Sequence, residues 1–145
     1  MRFSSRTTIA VHVLLCTVQF ENERKVTSDF LASSVNVNPV IIRKALSQLK
    51  KAGLLRVTAG TGGATLAREP KDITLLDILC AVENEDEALF RFHERPNPEC
   101  PVGRNVRRVL GPRLDAAKQA LEDSLRTTTL QNMLDDLQQY VRGGG

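Results

Sequence analysis

Apolar residues recur at helical spacing over most of the chain, and most clearly between residues 38 and 53. The apolar positions of this stretch lie three and four residues apart: Ile42, Ala45, Leu46 and Leu49. They form one stripe of a helix, which is typical of an element packed on a core. Asn38 can cap the start of the helix with Pro39 in its first position, and Gly53 can end it in a left-handed conformation.

The opposite face of this helix is polar and contains no acidic residue. It carries five side chains: Arg43, Lys44, Ser47, Lys50 and Lys51. A helix of about 14 residues is roughly 20 Å long, enough to lie in the major groove of DNA. The same pattern also fits a surface helix with a solvated basic face. The neighbouring segments are therefore needed to distinguish the two interpretations.

Two further helices precede the basic one. Residues 4–20 form the first, capped by Ser4 or Ser5, and a short second helix begins at Thr27 or Ser28. Their apolar positions again recur at helical spacing: Ile9, Val13, Cys16 and Phe20 in the first, and Phe30, Leu31 and Val35 in the second. This order of helices and turns is that of a helix-turn-helix unit.

After Gly53 the pattern changes to two short strands, 54–58 and 64–67, around a glycine-rich tip. A hairpin directly after a basic helix is the wing of a winged helix. The tip lacks the Gly-Lys-Ser/Thr ending of a phosphate-binding loop and opens no helix, which argues against nucleotide binding. Residues 1–70 are therefore predicted to be a winged helix-turn-helix domain that binds DNA.

Residues 71–145 are predicted to be a helical linker, a sensor loop and a dimerisation region. Thr74 and Asp77 form a capping box at the start of a helix whose apolar residues share one face. Residues 84–99 are first acidic and then proline-rich, which indicates a loop.

Pro101 begins a long helix, which we expect to kink or restart at Gly111–Pro112. Thr128 and Gln131 are expected to cap the closing helix. A helix of this length cannot bury its apolar stripe within so small a domain, so we expect a homodimer. The predicted fold class is mainly α with a small β-hairpin wing: a winged helix-turn-helix followed by a long C-terminal dimerisation helix.

Charge is divided unevenly between the two parts of the chain. Residues 1–70 hold ten Lys and Arg against four acidic residues, whereas residues 71–145 hold ten against thirteen. A basic front half favours an anionic polymer as the partner, which supports binding to nucleic acid but does not identify a sequence-specific reader. Together with the predicted winged helix, it leads us to expect double-stranded DNA as the partner. There is no apolar run of membrane-spanning length and no signal peptide, and the three cysteines do not form a disulfide framework. These features predict a cytoplasmic protein that does not enter a membrane.

Four motifs in a fixed order resemble the Rrf-two family of bacterial transcriptional regulators. They are the opening Met-Arg-Phe-Ser-Ser-Arg, the run Lys50-Lys51-Ala52-Gly53-Leu54, the tip Gly60-Thr61-Gly62-Gly63 with Leu66-Ala67-Arg68, and Ile73-Thr74-Leu75-Leu76-Asp77-Ile78. The resemblance covers nearly the whole chain. It implies a dimeric winged-helix regulator that represses transcription from a near-palindromic operator. The third helix would lie in the major groove.

The resemblance also implies which residues contact DNA. Arg43 suits a guanine edge, because its guanidinium can donate two hydrogen bonds. Lys44, Lys50, Ser5 and Arg6 suit phosphates. Thr58 and Ala59 stand where many members of the family carry a minor-groove Arg, which leaves Arg56 and Arg68 for backbone contacts. The complete expected set is Ser5, Arg6, Ser28, Asn38, Pro39, Val40, Arg43, Lys44, Ser47, Lys50, Arg56, Thr61 and Gly62.

Cys100 is the candidate signal-sensing residue. Family members that bind an iron–sulfur cluster carry three closely spaced cysteines before the long helix, but here Cys100 is alone in that loop. We therefore expect no cofactor, and hypothesise that Cys100 responds to oxidants or electrophiles, because a helix N-terminus and Arg104 favour its thiolate. Two alternatives stay open: a structural cysteine, and a metal or cluster site that adds His93 and Glu94.

Two other function classes are weighed against a DNA-binding regulator. A thiol enzyme would also use Cys100, but no second cysteine lies near it in the sequence. The phosphatase motif, in which five residues separate the catalytic Cys from an Arg, is also missing. A winged helix that binds only proteins fits poorly with the basic third helix. Cys16 and Cys80 are expected to lie in the core, and the sequence does not identify a small-molecule effector.

Overall fold

The computed structural model describes residues 3–58, 63–84 and 87–144. These ranges contain six α-helices and one two-stranded antiparallel hairpin, which agrees with the predicted fold class. The elements in chain order are α1 (Ser5–Phe20), α2 (Ser28–Val35), α3 (Pro39–Lys51), β1 (Leu55–Thr58), β2 (Gly63–Leu66), α4 (Leu75–Val82), α5 (Pro101–Thr127) and α6 (Leu130–Arg142).

Capping residues set the starts of the first three helices. The Ser4 side chain caps α1, Thr27 caps α2, and Asn38 Oδ1 accepts a hydrogen bond from the Val40 N–H at 2.9 Å to cap α3. The turn between α2 and α3 passes through Asn36, which has a φ of 63°. Gly53 follows α3 with a φ of 78°, so the predicted left-handed stop is confirmed.

One hydrophobic core joins residues from both sides of residue 70. Leu14 of α1, Leu49 of α3, Ile78 of α4 and Leu130 of α6 are all fully buried in it. The starts of α4 and α6 are also linked directly, because the Leu75 N–H donates to the Thr128 carbonyl at 2.8 Å. The last helix therefore returns to the core that residues 1–70 form instead of extending away from it.

The hairpin is fixed to the start of α2 through β2. The Ala64 N–H donates to the Val26 carbonyl at 2.8 Å. Gly63 has a φ of 77°, and a Cβ there would lie 2.8 Å from the Val26 nitrogen, so only glycine fits. Thr58 pairs with Gly63 at the described end of the hairpin. The expected contacts Thr61 and Gly62 lie outside the described residues.

Two expectations about the last helices are corrected. The restart expected at Gly111–Pro112 is wrong: α5 is a single helix of 27 residues with Pro112 inside it. The exposed Pro112 removes one backbone donor, and the turns on either side continue the helix. Helix α6 begins one residue later than expected: its capping box is formed by Thr129 and Asn132, not by Thr128 and Gln131. The Thr128 carbonyl instead accepts a hydrogen bond from the Leu75 N–H, and the next residue, Thr129, is the cap.

The cysteines of the helices differ from expectation in one case. Cys16 is buried, as predicted, but Cys80 is exposed. Helix α4 buries Ile78, Leu79 and Val82, and at 100° per residue Cys80 falls on the opposite side.

Much of the apolar stripe of α5 is open to solvent in the single chain. Leu125 is the buried residue of this helix, while Val102, Val109 and Leu110 are 72%, 66% and 40% exposed. No helix in the described ranges combines the length and apolarity that spanning a bilayer requires.

A buried carboxylate holds the first turn of α1 against the end of α4. Glu83, the residue that ends α4, has a side chain only 2% exposed. Its Oε1 accepts hydrogen bonds from the Ser4 hydroxyl at 2.5 Å and the Thr7 hydroxyl at 3.0 Å. Its Oε2 accepts from the Arg6 guanidinium at 3.2 Å. We call this group of four side chains the Glu83 clamp.

Two opposing effects act on the pKa of Glu83. Burial raises the pKa, since it disfavours the charged carboxylate. The hydrogen bonds from Ser4, Arg6 and Thr7, together with the charge of Arg6, outweigh burial and hold the pKa below its usual value. The clamp is therefore a charged interaction in the folded protein at neutral pH.

Glu83→Gln should destabilise the fold by about 1.5–3 kcal/mol at neutral pH, because it removes the charge that accepts three hydrogen bonds. Because the pKa of Glu83 is lower in the folded protein, this stabilisation is present at pH values above the unfolded-state pKa of about 4.5. It disappears as the pH falls through the folded-state pKa. Urea unfolding at pH about 7 and about 3, at one protein concentration, measures the difference between variant and wild type. Glu94→Gln, an exposed carboxylate, is the control. A difference that stays constant with pH would contradict this account.

Candidate nucleic-acid interface

The polar face of α3 points away from the core along its whole length. Helix α3 packs on α1 and α4 through the buried side chains of Ile42, Ala45, Leu46 and Leu49. Its opposite side chains are exposed as a row: Arg43, Lys44, Ser47, Lys50 and Lys51. Because α3 contains no acidic residue, this row is a continuous positive surface. Near its start, Asn38 and Val40 are also exposed, and Pro39 is partly exposed.

A first groove lies between α3, the start of α2 and the hairpin. It is lined by Ser28, Arg43 and Thr58, together with Lys25. The N-terminus of α2 opens into it, and its backbone N–H groups carry the positive end of the helix dipole. The structure thus brings together two of the expected contacts, Ser28 and Arg43, although Asp29 also lines the groove.

A second groove lies on the other side of α3, against the start of α1. Three of the expected contacts, Ser5, Arg6 and Lys44, line it with Gln48. The Arg6 side chain is 40% exposed, but its guanidinium is already bonded to Glu83. Its positive charge is therefore partly neutralised within the protein.

Arg56 lies apart from both grooves. It is exposed on β1 and lines a separate surface with Glu21 and Arg68. Arg68 lies 3.9 Å from the Asp77 carboxylate, which ties the end of the hairpin to α4. The structure therefore does not bring Arg56 together with Arg43.

Lys25 and Gln48 line the grooves although they were not among the sequence-based candidates. Lys25 stands two positions before the Thr27 cap, in a turn that looked only polar. Gln48 lies four residues after Lys44, so helical spacing could have placed it on the same side. The charge of Lys44 made it a candidate phosphate contact, whereas Gln48 is neutral and has no such feature.

Cys100 caps α5 from the end of the loop before it. The backbone N–H groups of Gly103 and Val102 lower the pKa of its thiol. Asn97 shapes this loop, since its carbonyl accepts from the Cys100 N–H at 3.2 Å. A Cβ on Gly103 would lie 2.4 Å from the same Asn97 oxygen, so glycine is required where the loop crosses the helix.

His93 and Glu94 do not join Cys100 in a metal site. Both are exposed, and their backbone carbonyls accept hydrogen bonds from Arg107 at 3.2 and 3.5 Å. Across residues 3–58, 63–84 and 87–144, no three His, Cys, Asp or Glu side chains converge as metal binding would require.

Comparisons with known proteins agree with this architecture. A family model described as "Rrf2: Iron-dependent Transcriptional regulator" matches residues 3–136. YwnA of Bacillus subtilis (strain 168), assigned as an HTH-type transcriptional regulator, is 38% identical over 134 residues, which cover 92% of this chain and 98% of YwnA. The solved structure of T. potens IscR has 25% identity and a TM-score of 0.69, covering 94% of this chain and 88% of IscR. A crystal structure of a protein assigned as DNA-binding has 34% identity and a TM-score of 0.70, covering 89% and 98% of the two chains. The chain belongs to the Rrf2 family of transcriptional regulators.

Proposed function

We propose that this chain represses transcription as a homodimer that binds a near-palindromic DNA operator and releases it when Cys100 is oxidised. The observation that carries the DNA-binding part is the acid-free outer face of α3 with a groove on each side. A helix with such a face fits the major groove, and the flanking grooves fit the two phosphate backbones.

Each expected contact has a role in this proposal. Arg43 reads a base edge from the middle of α3, and Lys44 and Lys50 bind phosphates beside it. Ser28 and Ser5, at the starts of α2 and α1, bind the two backbones. The remaining contacts are Asn38, Pro39, Val40 and Ser47, at the cap of α3 and along it, and Arg56 on β1, together with Thr61 and Gly62 of the tip predicted from the sequence. Arg6 binds phosphate only when its guanidinium is released from the Glu83 carboxylate.

The exposed stripe of α5 supports the dimer. Val102, Val109 and Leu110 are exposed apolar side chains in the single chain, and pairing with a second α5 would remove them from water. Two copies of α3 would then occupy half-sites about 34 Å apart, or a multiple of that distance, on a two-fold symmetric operator.

The lowered pKa of Cys100 supports the switch. A larger thiolate fraction favours reaction with oxidants at neutral pH, and the thiol is partly exposed. In the proposed step, the Cys100 thiolates of two subunits form a disulfide while the oxidant takes up two electrons. The disulfide fixes the starts of both α5 helices and thereby changes the spacing of the α3 helices.

Arg43→Ala should lower affinity for the best duplex selected from a random pool by about 1–3 kcal/mol and relax specificity at one position, because a bidentate base contact is lost. Lys44→Ala should weaken all duplexes alike and reduce the salt slope of binding by about one, because a phosphate contact is lost. Fluorescence anisotropy over a range of salt concentrations measures both. Lys118→Ala, an exposed cation on α5, controls for net charge. Uniform weakening of all sequences by Arg43→Ala would instead assign it to phosphate.

Diamide should collapse operator binding by the reduced wild-type protein, because it converts two thiols to a disulfide and is itself reduced to the hydrazine. Cys100→Ser should bind as tightly as the wild type before treatment and keep its affinity after it. Cys80→Ser is the matched control, since Cys80 is also exposed. Anisotropy and non-reducing electrophoresis give the affinity and the covalent dimer. Loss of binding by oxidised Cys100→Ser would overturn the switch, while leaving DNA recognition intact.

A further inference from the structure

A second site lies away from the basic face, in a groove between α1, α2 and the end of α6. Its walls are largely apolar and include Val11, Leu15, Phe20, Leu137 and Val141. No lysine, arginine, aspartate or glutamate lines it. The groove therefore suits an uncharged ligand with a hydrocarbon body, because an anion or a metal ion would find no opposite charge there.

The wall of this groove also contains three polar side chains in a hydrogen-bonded row. The Ser34 hydroxyl lies 2.9 Å from His12 Nε2 and 3.2 Å from Cys16 Sγ. Cys16 is only 7% exposed, and it lines the groove. The thiol thus lies in the wall of the groove, in line with the exposed Ser34 hydroxyl and the partly exposed His12 imidazole.

We infer that this groove binds apolar α,β-unsaturated carbonyl compounds and that Cys16 captures them covalently. A cysteine next to a histidine base is the arrangement of an activated nucleophile, and here Ser34 connects the two. The apolar wall supplies binding for a carbon chain, and the polar row supplies the reacting group at the point where the carbonyl end would lie.

The addition is balanced without an oxidant or a reductant. Cys16 sulfur forms a bond to the β-carbon, and the π electrons of the double bond shift toward the carbonyl as an enolate. The thiol proton passes to Ser34 while the Ser34 proton passes to His12 Nε2, which requires the neutral tautomer protonated at Nδ1. His12 then returns one proton to the α-carbon through Ser34 or water, which leaves a saturated thioether adduct.

The groove selects Cys16 over the other two cysteines for this class of compound. Cys16 lines the groove, whereas Cys80 is exposed on α4 and Cys100 lies at the start of α5, and neither of them belongs to its lining. Water-soluble reagents should therefore prefer the exposed thiols, and apolar electrophiles should prefer Cys16.

An adduct would also touch the DNA-binding half. Ser34 belongs to α2, and the Gln138 side chain of α6 donates to Gln19 of α1 at 2.8 Å beside the groove. A ligand between these helices would change how α6 rests on the helix-turn-helix. An effect on operator affinity rests on the proposed function, but the capture step does not.

The capture step is tested on the full-length, reduced Cys100→Ser protein with trans-2-nonenal, and adducts are located by peptide mass spectrometry. We expect Cys16 to be modified about tenfold or more faster than Cys80, as base-assisted addition in a binding groove requires. Iodoacetamide should show the reverse order. Equal or faster modification of Cys80 by nonenal, or reversible binding of nonenal without an adduct, would overturn the inference.

Ser34→Ala tests the relay, and Ser33→Ala is its matched control, because the Ser33 hydroxyl bonds only the Phe30 carbonyl at 2.7 Å. Ser34→Ala should slow nonenal addition at Cys16 several-fold, with unchanged circular dichroism and unchanged iodoacetamide labelling of Cys80. Leu137→Gln should also slow nonenal, by making the wall polar. Equal rates in both serine variants would remove Ser34 and His12 from the chemistry and refute the relay.

Discussion

The Glu83 clamp is the interaction on which the arrangement of the DNA-binding half depends. A carboxylate that is 2% exposed is costly to bury, and three donors from the start of α1 compensate it. Such a group tolerates little displacement, since losing any donor leaves a buried charge underbonded. The clamp therefore fixes the first turn of α1 relative to the end of α4 more strictly than apolar packing alone would.

Two consequences follow from where the clamp lies. Helix α3 packs on both α1 and α4, so fixing that pair fixes the direction in which the row from Arg43 to Lys51 points. Glu83 is also the residue at which the chain leaves α4 for the segment that carries Cys100. Arg6 at the start of α1 lies 3.2 Å from the Glu83 carboxylate and 3.8 Å from the Glu87 carboxylate of that segment, which places both carboxylates beside the groove that contains Ser5 and Lys44.

The sequence predicted the local features well and the distant contacts poorly. Periodicity, caps and the glycine at 53 are properties of neighbouring residues, so α1 to α4 and the hairpin could be placed from them. Glu83 was not among the residues that the sequence marked, because its three donors lie more than 75 residues away in the chain. The exposure of Cys80 and the return of α6 to the core likewise depend on which elements pack together. For the interface, the row on α3 followed from charge and Gln48 could have followed from helical spacing, whereas Lys25 was identified only from the groove that it lines in the folded chain.

The surroundings of Cys16 and Cys100 favour different chemistry. Cys100 meets solvent at the start of α5, where backbone N–H groups stabilise its thiolate, so water-soluble oxidants reach it in its reactive form. Cys16 is 7% exposed in the wall of an apolar groove and is joined to an imidazole through Ser34, so its proposed reaction favours a partner that binds in the groove. Burial thus makes one thiol selective for apolar carbon electrophiles, and exposure makes the other available to polar oxidants. Under the two proposals, a single chain responds to two classes of reactive compound, because one thiol lines an apolar groove and the other is accessible to water.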